Sequence, residues 1–231
     1  MDVNHSQIKS LASLIGDPVR AIMLWNLLDG KAFTATELAI SADVSAQSAS
    51  MHLNKLVQAN LLTVESQGRH RYYRFSKPEV AYVMEAMANL LPSDNTNSKV
   101  KTGTSSASGI KYCRTCYDHL AGKTGVAVTE QLLKMKIIFI NGKQYDITTK
   151  GIRWFDELGI SVAELKNERR AFARQCLDWS ERRHHLAGSL GAALLDKMLT
   201  SGWVRKMKDS RAMLVTAKGQ KELYELLQLS L

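Results

Sequence analysis

Between Thr34 and Phe75 the spacing of apolar and polar positions changes twice, and each change marks an element. Thr36-Glu37-Leu38-Ala39 lies on a short helix, and Asp43-Val44 supplies a turn. Ser45 is placed to cap the next helix, its hydroxyl accepting an otherwise unpaired backbone N–H. From about Ala46 to Ala59, Ala49, Leu53, Leu56 and Val57 recur at helical spacing and define one buried face. The other face carries Gln47, Ser48, Ser50, Met51, His52, Asn54 and Lys55. Period-two alternation then takes over: Leu62-Thr63-Val64-Glu65, a turn at Gln67-Gly68, and Arg69-His70-Arg71-Tyr72-Tyr73-Arg74-Phe75 predict a basic hairpin. A helix with a polar exposed face beside a cationic hairpin is the order needed to lay one element in the major groove and hold phosphates with the other.

Flanking helices complete this half. The apolar stripe Ile8, Leu11, Leu14 and Ile15 predicts a helix over Ser6–Leu14. Asp17 and Pro18 open a second helix, Val19–Leu28, as N-cap and first-turn residues. Pro78-Glu79 opens a helix to Leu91 whose stripe, Val80, Val83, Met84, Met87, Leu90 and Leu91, is wide enough for its own core and a partner. Residues 93–110 are poor in apolar positions and rich in Ser, Thr and Gly, and read as a flexible linker. The expected organisation is therefore a DNA-binding and dimerisation domain over 1–92, the linker, and a second domain over 111–231.

The second half repeats itself. His119-Leu120-Ala121-Gly122 with Gly125 recurs as His185-Leu186-Ala187-Gly188 with Gly191, and Thr148-Thr149-Lys150-Gly151 recurs as Thr216-Ala217-Lys218-Gly219. The two units, about 111–160 and 180–231, each read as helix, hairpin, helix. The first hairpin turns at Asn141-Gly142, and the second runs from Trp203–Met207 to Ala212–Val215. Ser161–Trp179 reads as a charged helix between them. Self-similar units of this kind pack against one another and create a shared centre. The fold class is α+β, mainly helical: an N-terminal winged helix-turn-helix followed by two wing-like helix–hairpin–helix repeats.

Charge adds a refinement. The chain of 231 residues carries a formal net charge of +9. By position, residues 1–92 are neutral overall, and the excess lies in the second half. The cations of the DNA reader are thus gathered on the hairpin. No apolar run approaches the roughly 20 residues of a membrane span, and the first residues lack a basic-then-apolar leader; a cytoplasmic protein without membrane partners is expected. No phosphate loop, HExxH or nucleophile elbow occurs, so an enzyme is not expected. An enzyme using a Cys/His site, or a scaffold built from winged-helix modules, are the alternative classes.

The N-terminal residues resemble a known family. Gly16-Asp17-Pro18-Val19-Arg20, the run Ser50-x-His52-Leu53-x-x-Leu56 and Gln67-Gly68-Arg69-x-x-Tyr72-Tyr73 are similar to the second-helix entry, recognition helix and wing of ArsR-type repressors. The resemblance covers about residues 6–91. It implies a homodimer, joined through the first and last helices of this domain, that releases double-stranded DNA when an inducer binds. Two departures matter: there is no Cys-x-Cys at the start of the recognition helix, and the last helix has no His. The family's familiar metal sites are absent, so sensing belongs to the appended half.

On this reading Gln47, Ser48, Ser50, Met51, His52 and Asn54 face bases, while Lys55, Arg69, Arg71 and Arg74 hold phosphates and the minor groove. In the sensor half, Cys113-x-x-Cys116-x-x-His119 is the sharpest constellation. Placed on a helix, these residues share a face. Cys176 and His185 are the expected contributors from the other repeat, with Asp118, Asp178 and His184 as further candidates. Two or three thiolates with imidazole suit zinc or another soft metal ion. A thiol switch through a Cys113–Cys116 disulfide and an apolar small-molecule pocket lined by Tyr112, Trp154, Phe155, Phe172 and Trp179 stand beside the metal reading. Cysteines buried simply as small hydrophobes are the remaining possibility.

Overall fold

The computed structural model describes residues 4–91, 109–208 and 210–231. The chain divides into two compact units, Met1–Met87 and Ala88–Leu231. Of the expected linker, all but residues 109 and 110 lies outside the described residues.

The first unit is a winged helix-turn-helix. Helices α1 (His5–Ile15) and α2 (Pro18–Asn26) lead through a single 3-10 turn to the short strand β1 (Phe33–Thr34), α3 (Ala35–Ser41) and α4 (Ala46–Gln58). The wing, β2 (Leu62–Gln67) and β3 (His70–Phe75), follows, then α5 (Pro78–Ala88). The three strands form an antiparallel sheet in the order β1-β3-β2, with Val64 opposite Tyr73 and Ser66 opposite Arg71. Local chemistry sets the helix starts. Asp17 accepts from the Arg20 N–H at 3.0 Å and Ser45 from the Ser48 N–H at 3.2 Å. Thr34 and Glu37 cap each other's backbones in a capping box. Leu24, Leu27, Leu38, Leu53, Leu56 and Tyr73 fill the core.

The second unit is built twice from the same plan. Its first repeat runs β4 (Arg114–Cys116), β5 (His119–Ala121), α6 (Gly122–Lys134), β6 (Ile138–Asn141), β7 (Gln144–Ile147) and α7 (Thr149–Glu157). After the short α8 (Val162–Lys166), the second runs β8 (Arg174–Leu177), β9 (His184–Ala187), α9 (Gly188–Thr200), β10 (Val204–Lys206), β11 (Met213–Val215) and α10 (Ala217–Leu227). Three sequence expectations are corrected. Each repeat opens with a hairpin that precedes the expected helix–hairpin–helix. The charged helix expected over Ser161–Trp179 is confined to α8, because Arg174–Leu177 finds antiparallel partners in β7 and β9; strand pairing overrides a local helical pattern. The β6–β7 loop is Gly142-Lys143, since Asn141 pairs with Gln144.

The repeats exchange their opening hairpins. In one direction, the Tyr145 N–H donates to the Ala173 carbonyl at 3.0 Å, adding β8–β9 to the β6–β7 hairpin. In the other, the Met213 N–H donates to the Cys113 carbonyl at 2.8 Å, and Arg114 bridges Ala212, which sets β4 beside β11. Helix α6 packs on β9 and α9 on β5. Gly122 (φ 77°) and Gly188 (φ 84°) make the reversal from strand to helix. A Cβ on either would sit 2.8 Å from the Lys111 carbonyl or 2.6 Å from that of Ala171, so only glycine fits. This is the physical reason for the repeated His-Leu-Ala-Gly. One apolar core, including Leu132, Ile137, Phe155, Leu190, Met198 and Leu223, runs through both repeats.

Candidate functional site

Two surfaces carry the candidate chemistry, one in each unit. On α4, Gln47, Ser50, Met51, Asn54 and Lys55 are exposed, and Ser48 is half-buried. Met51 is 58% exposed among these polar side chains. The Ser50 hydroxyl donates back to the Ala46 carbonyl at 2.9 Å. His52 is turned away from this face. Its Nδ1 lies 3.4 Å from Arg20 and 3.5 Å from Asp17, and its side chain is only 18% exposed. Arg20 in turn donates to the Leu14 and Ser13 carbonyls at 2.7 and 2.8 Å. The Asp-Pro-x-Arg motif therefore ties the end of α1 to α2 and α4, and His52 belongs to that tie. On the wing, Arg69, Arg71 and Arg74 are exposed; Arg71 lies over the Tyr73 ring at 5.8 Å, and Arg74 faces Glu65 at 3.6 Å.

In the second unit, Cys116, His119, Cys176 and His185 offer four ligand atoms, all within 4.8 Å of one another. They arrive as two equivalent pairs. Cys116 lies directly opposite His119 across β4–β5, and Cys176 opposite His185 across β8–β9. The two Nε2 atoms are 3.1 Å apart. A tetrahedral zinc ion with Zn–N near 2.0–2.1 Å requires about 3.3 Å between two nitrogens, so the spacing already suits a shared cation.

Each histidine is backed by an acid. His119 Nδ1 is 3.3 Å from Asp118, whose other oxygen accepts from Arg170 at 2.6 Å. His185 Nδ1 is 3.3 Å from Asp178, close enough for an ion pair though off the direct hydrogen-bond line. Asp178 is fully buried and accepts from Arg114 at 2.9 Å, the Gly122 N–H at 2.7 Å and the Ser180 hydroxyl at 2.7 Å. Burial alone would raise its pKa, but His185, Arg114, Ser180 and Gly122 together hold the carboxyl well below the usual range. An acid behind each imidazole fixes the ring and leaves Nε2 for a metal. Conversely, Cys116 is pushed up to about 12 by the neighbouring Cys176 thiol and by burial. Two thiols side by side cannot both ionise without a cation between them. Two sulfurs and two imidazoles, each imidazole backed by an acid, are the donor set of a closed zinc centre.

Cys113 is not part of this group. The helical placement of Cys113, Cys116 and His119 is replaced by a tight hairpin, turning at Tyr117 (φ 60°) and Asp118. Along an extended strand, residues three apart face opposite ways. Cys113 is fully buried in the core, its thiol pushed up to about 12 by burial. His184 is exposed, away from the cluster. The aromatic residues expected to line a pocket are core or its margin: Phe155 is fully buried with Trp154 edge-on at 4.9 Å, Tyr112 and Phe172 pack against the core, and Trp179 lies under Arg114 at 5.0 Å. Arg114 and Arg170 were not anticipated. The signal for Arg114 was a second stretch of the repeat, Arg114-x-Cys116-x-Asp118 against Arg174-x-Cys176-x-Asp178, hidden because the second hairpin carries six more residues between its Asp and His; Arg170 lies outside it.

Comparison with known proteins bears on the first unit and on the whole chain. Residues 15–65 match the family model described as a helix-turn-helix domain. Among solved structures, HlyU from Vibrio cholerae N16961 is 24% identical over 39% of this chain and 97% of its own, with a TM-score of 0.36. The homodimeric winged helix-turn-helix domain of Mb0332 from Mycobacterium bovis, a possible ArsR-family regulator, is 21% identical over 36% of this chain and 75% of its own, with a TM-score of 0.33. A relative from Bacillus subtilis (strain 168), the uncharacterized HTH-type transcriptional regulator YdfF, is 42% identical over 94% of this chain and 95% of its own length. That identity spans both units, and the chain belongs to the family of HTH-type transcriptional regulators that YdfF represents.

Proposed function

We propose that this DNA-binding transcriptional regulator is a homodimeric repressor whose second unit is closed by a zinc-class cation on Cys116, His119, Cys176 and His185. The observation that carries the metal reading is the double Cys–His pair: two hairpins from two repeats, each presenting sulfur opposite imidazole, converging within 4.8 Å. With four protein ligands the cation has no open position, which favours a site that staples the repeats over one that performs chemistry on a substrate. Metal binding would release the protons of both thiols and join the exchanged hairpins.

On DNA, Gln47, Ser48, Ser50, Met51 and Asn54 face base edges, with Met51 suited to a thymine methyl, while Lys55, Arg69, Arg71 and Arg74 meet the backbone. Repression and dimerisation follow the ArsR resemblance. Val83 and Met87 on α5 and Ile8 on α1 remain exposed, as an apolar partner surface requires. The test is a titration of the DNA upstream of the protein's own gene with zinc-loaded and with chelator-treated protein. Saturable binding by the loaded dimer, changed by chelation, is expected. Salt-sensitive binding without sequence preference in both states would refute it.

A further inference from the structure

The four ligands are unequally protected. His119 and His185 are buried, whereas Cys116 and Cys176 are each partly exposed, so one edge of the site, the sulfur edge, faces outward. The two sulfurs lie within 4.8 Å of each other and come from different repeats. No other cysteine competes for them, since Cys113 is sealed in the core.

We infer that Cys116 and Cys176 form a redox pair, and that hydrogen peroxide converts the cation-bound thiolates into a Cys116–Cys176 disulfide with loss of the metal. This rests on the metal reading above, because the cation is what keeps both sulfurs ionised and nucleophilic. The reaction balances. One thiolate attacks the peroxide, breaking its O–O bond and giving a sulfenic acid and, after protonation, one water. The second thiolate attacks that sulfur, forms the S–S bond and expels hydroxide, which takes a proton to give a second water. The sulfurs lose two electrons and the peroxide oxygens gain two. Two imidazoles alone then hold the cation weakly, and it leaves. Closing the gap to an S–S bond of about 2.05 Å needs side-chain rotation and a small approach of the hairpins. The disulfide would replace one link between the repeats by another, so oxidation re-shapes the junction instead of unfolding it. This modification couples the second unit to peroxide through a different pair from the Cys113–Cys116 disulfide considered from sequence.

The experiment uses full-length protein. Metal content is measured before any oxidant is added, and a chain that takes up no zinc then overturns the metal reading and this inference with it. Zinc-loaded protein is next treated with hydrogen peroxide while released zinc is followed with a colorimetric chelator and the thiols are mapped by non-reducing peptide mass spectrometry. One zinc released per chain, a Cys116–Cys176 linked peptide and an intact Cys113 thiol are expected, with reductant and zinc restoring the starting state. Cys113→Ala should behave identically, since Ala173 occupies the equivalent backbone position in the other repeat. Zinc retained with unmodified thiols, or zinc lost with a Cys113 disulfide or with sulfinic acids, would overturn the redox pair while leaving the metal reading standing.

Discussion

Asp178→Ala removes the group on which the second hairpin and the metal cluster both lean. Asp178 and Arg114 are 0% and 1% exposed, so their 2.9 Å contact is unscreened, and the same carboxylate takes the Gly122 N–H at the start of α6. Truncation strands a buried guanidinium, a loss that costs about 3–5 kcal/mol. At about 2–4 °C per kcal/mol for a unit of this size, unfolding of the second unit should move down by roughly 10 °C. The folded pKa of Asp178 is depressed, so its contribution is fully present above the unfolded value near about 3.9 and fades only as pH falls through the lower folded one. Near neutral pH the effect is therefore constant, and thermal unfolding of zinc-loaded protein at pH 7.5 or so, followed by tryptophan fluorescence, reads it directly. The double variant Arg114→Met with Asp178→Leu should recover most of the loss, because it removes both charges together. The first repeat supplies a control: Arg170 and Asp118 are 40% and 30% exposed, and Arg170→Ala should cost about 0–1 kcal/mol. A cost for Asp178→Ala no larger than for Arg170→Ala would refute the reasoning.

Three further outcomes follow from the same geometry. Arg71→Ala should weaken operator and random DNA alike and lower the salt slope by about 1 in a filter-binding series, whereas Asn54→Ala should cost about 1–3 kcal/mol on the operator only. Cys113→Ala should bind zinc with unchanged stoichiometry and lose about 1 kcal/mol of stability for the small cavity, checked by metal analysis and denaturant unfolding. Because Cys116 in the metal-free protein is pushed up to about 12 and a thiol ordinarily titrates near about 8.5, binding displaces both thiol protons, and zinc affinity measured by chelator competition should fall at least about a hundredfold for each pH unit lowered near neutrality.

The DNA-reading unit was legible in the sequence because its signals are local. Ser45, the polar face of α4 and the glycine turn of the wing each act within a few residues, although the turn residues are Gly68-Arg69 and not Gln67-Gly68, because Gln67 pairs with His70. The surroundings of His52 were not legible because they are tertiary: its ring sits against Arg20 and Asp17 from another helix. The second unit was half legible. The repeated His-Leu-Ala-Gly showed that His119 and His185 are equivalent, and the five candidate ligands included the four that meet. What spacing could not show was strand pairing. Helical periodicity placed Cys113 with Cys116, and a β-hairpin, set by the Tyr117 turn, sends them to opposite faces. The exchange of opening hairpins between repeats depends on hydrogen bonds such as Tyr145 to Ala173, and no sequence period reports such a crossing.

The most direct measurement is zinc-edge X-ray absorption on the purified protein together with metal analysis. The account predicts one zinc per chain with a mixed shell of two sulfurs near about 2.3 Å and two nitrogens near about 2.0–2.1 Å, converted to a different shell by Cys176→Ser. A chain that retains no metal, or a shell of three sulfurs that requires Cys113, would contradict it.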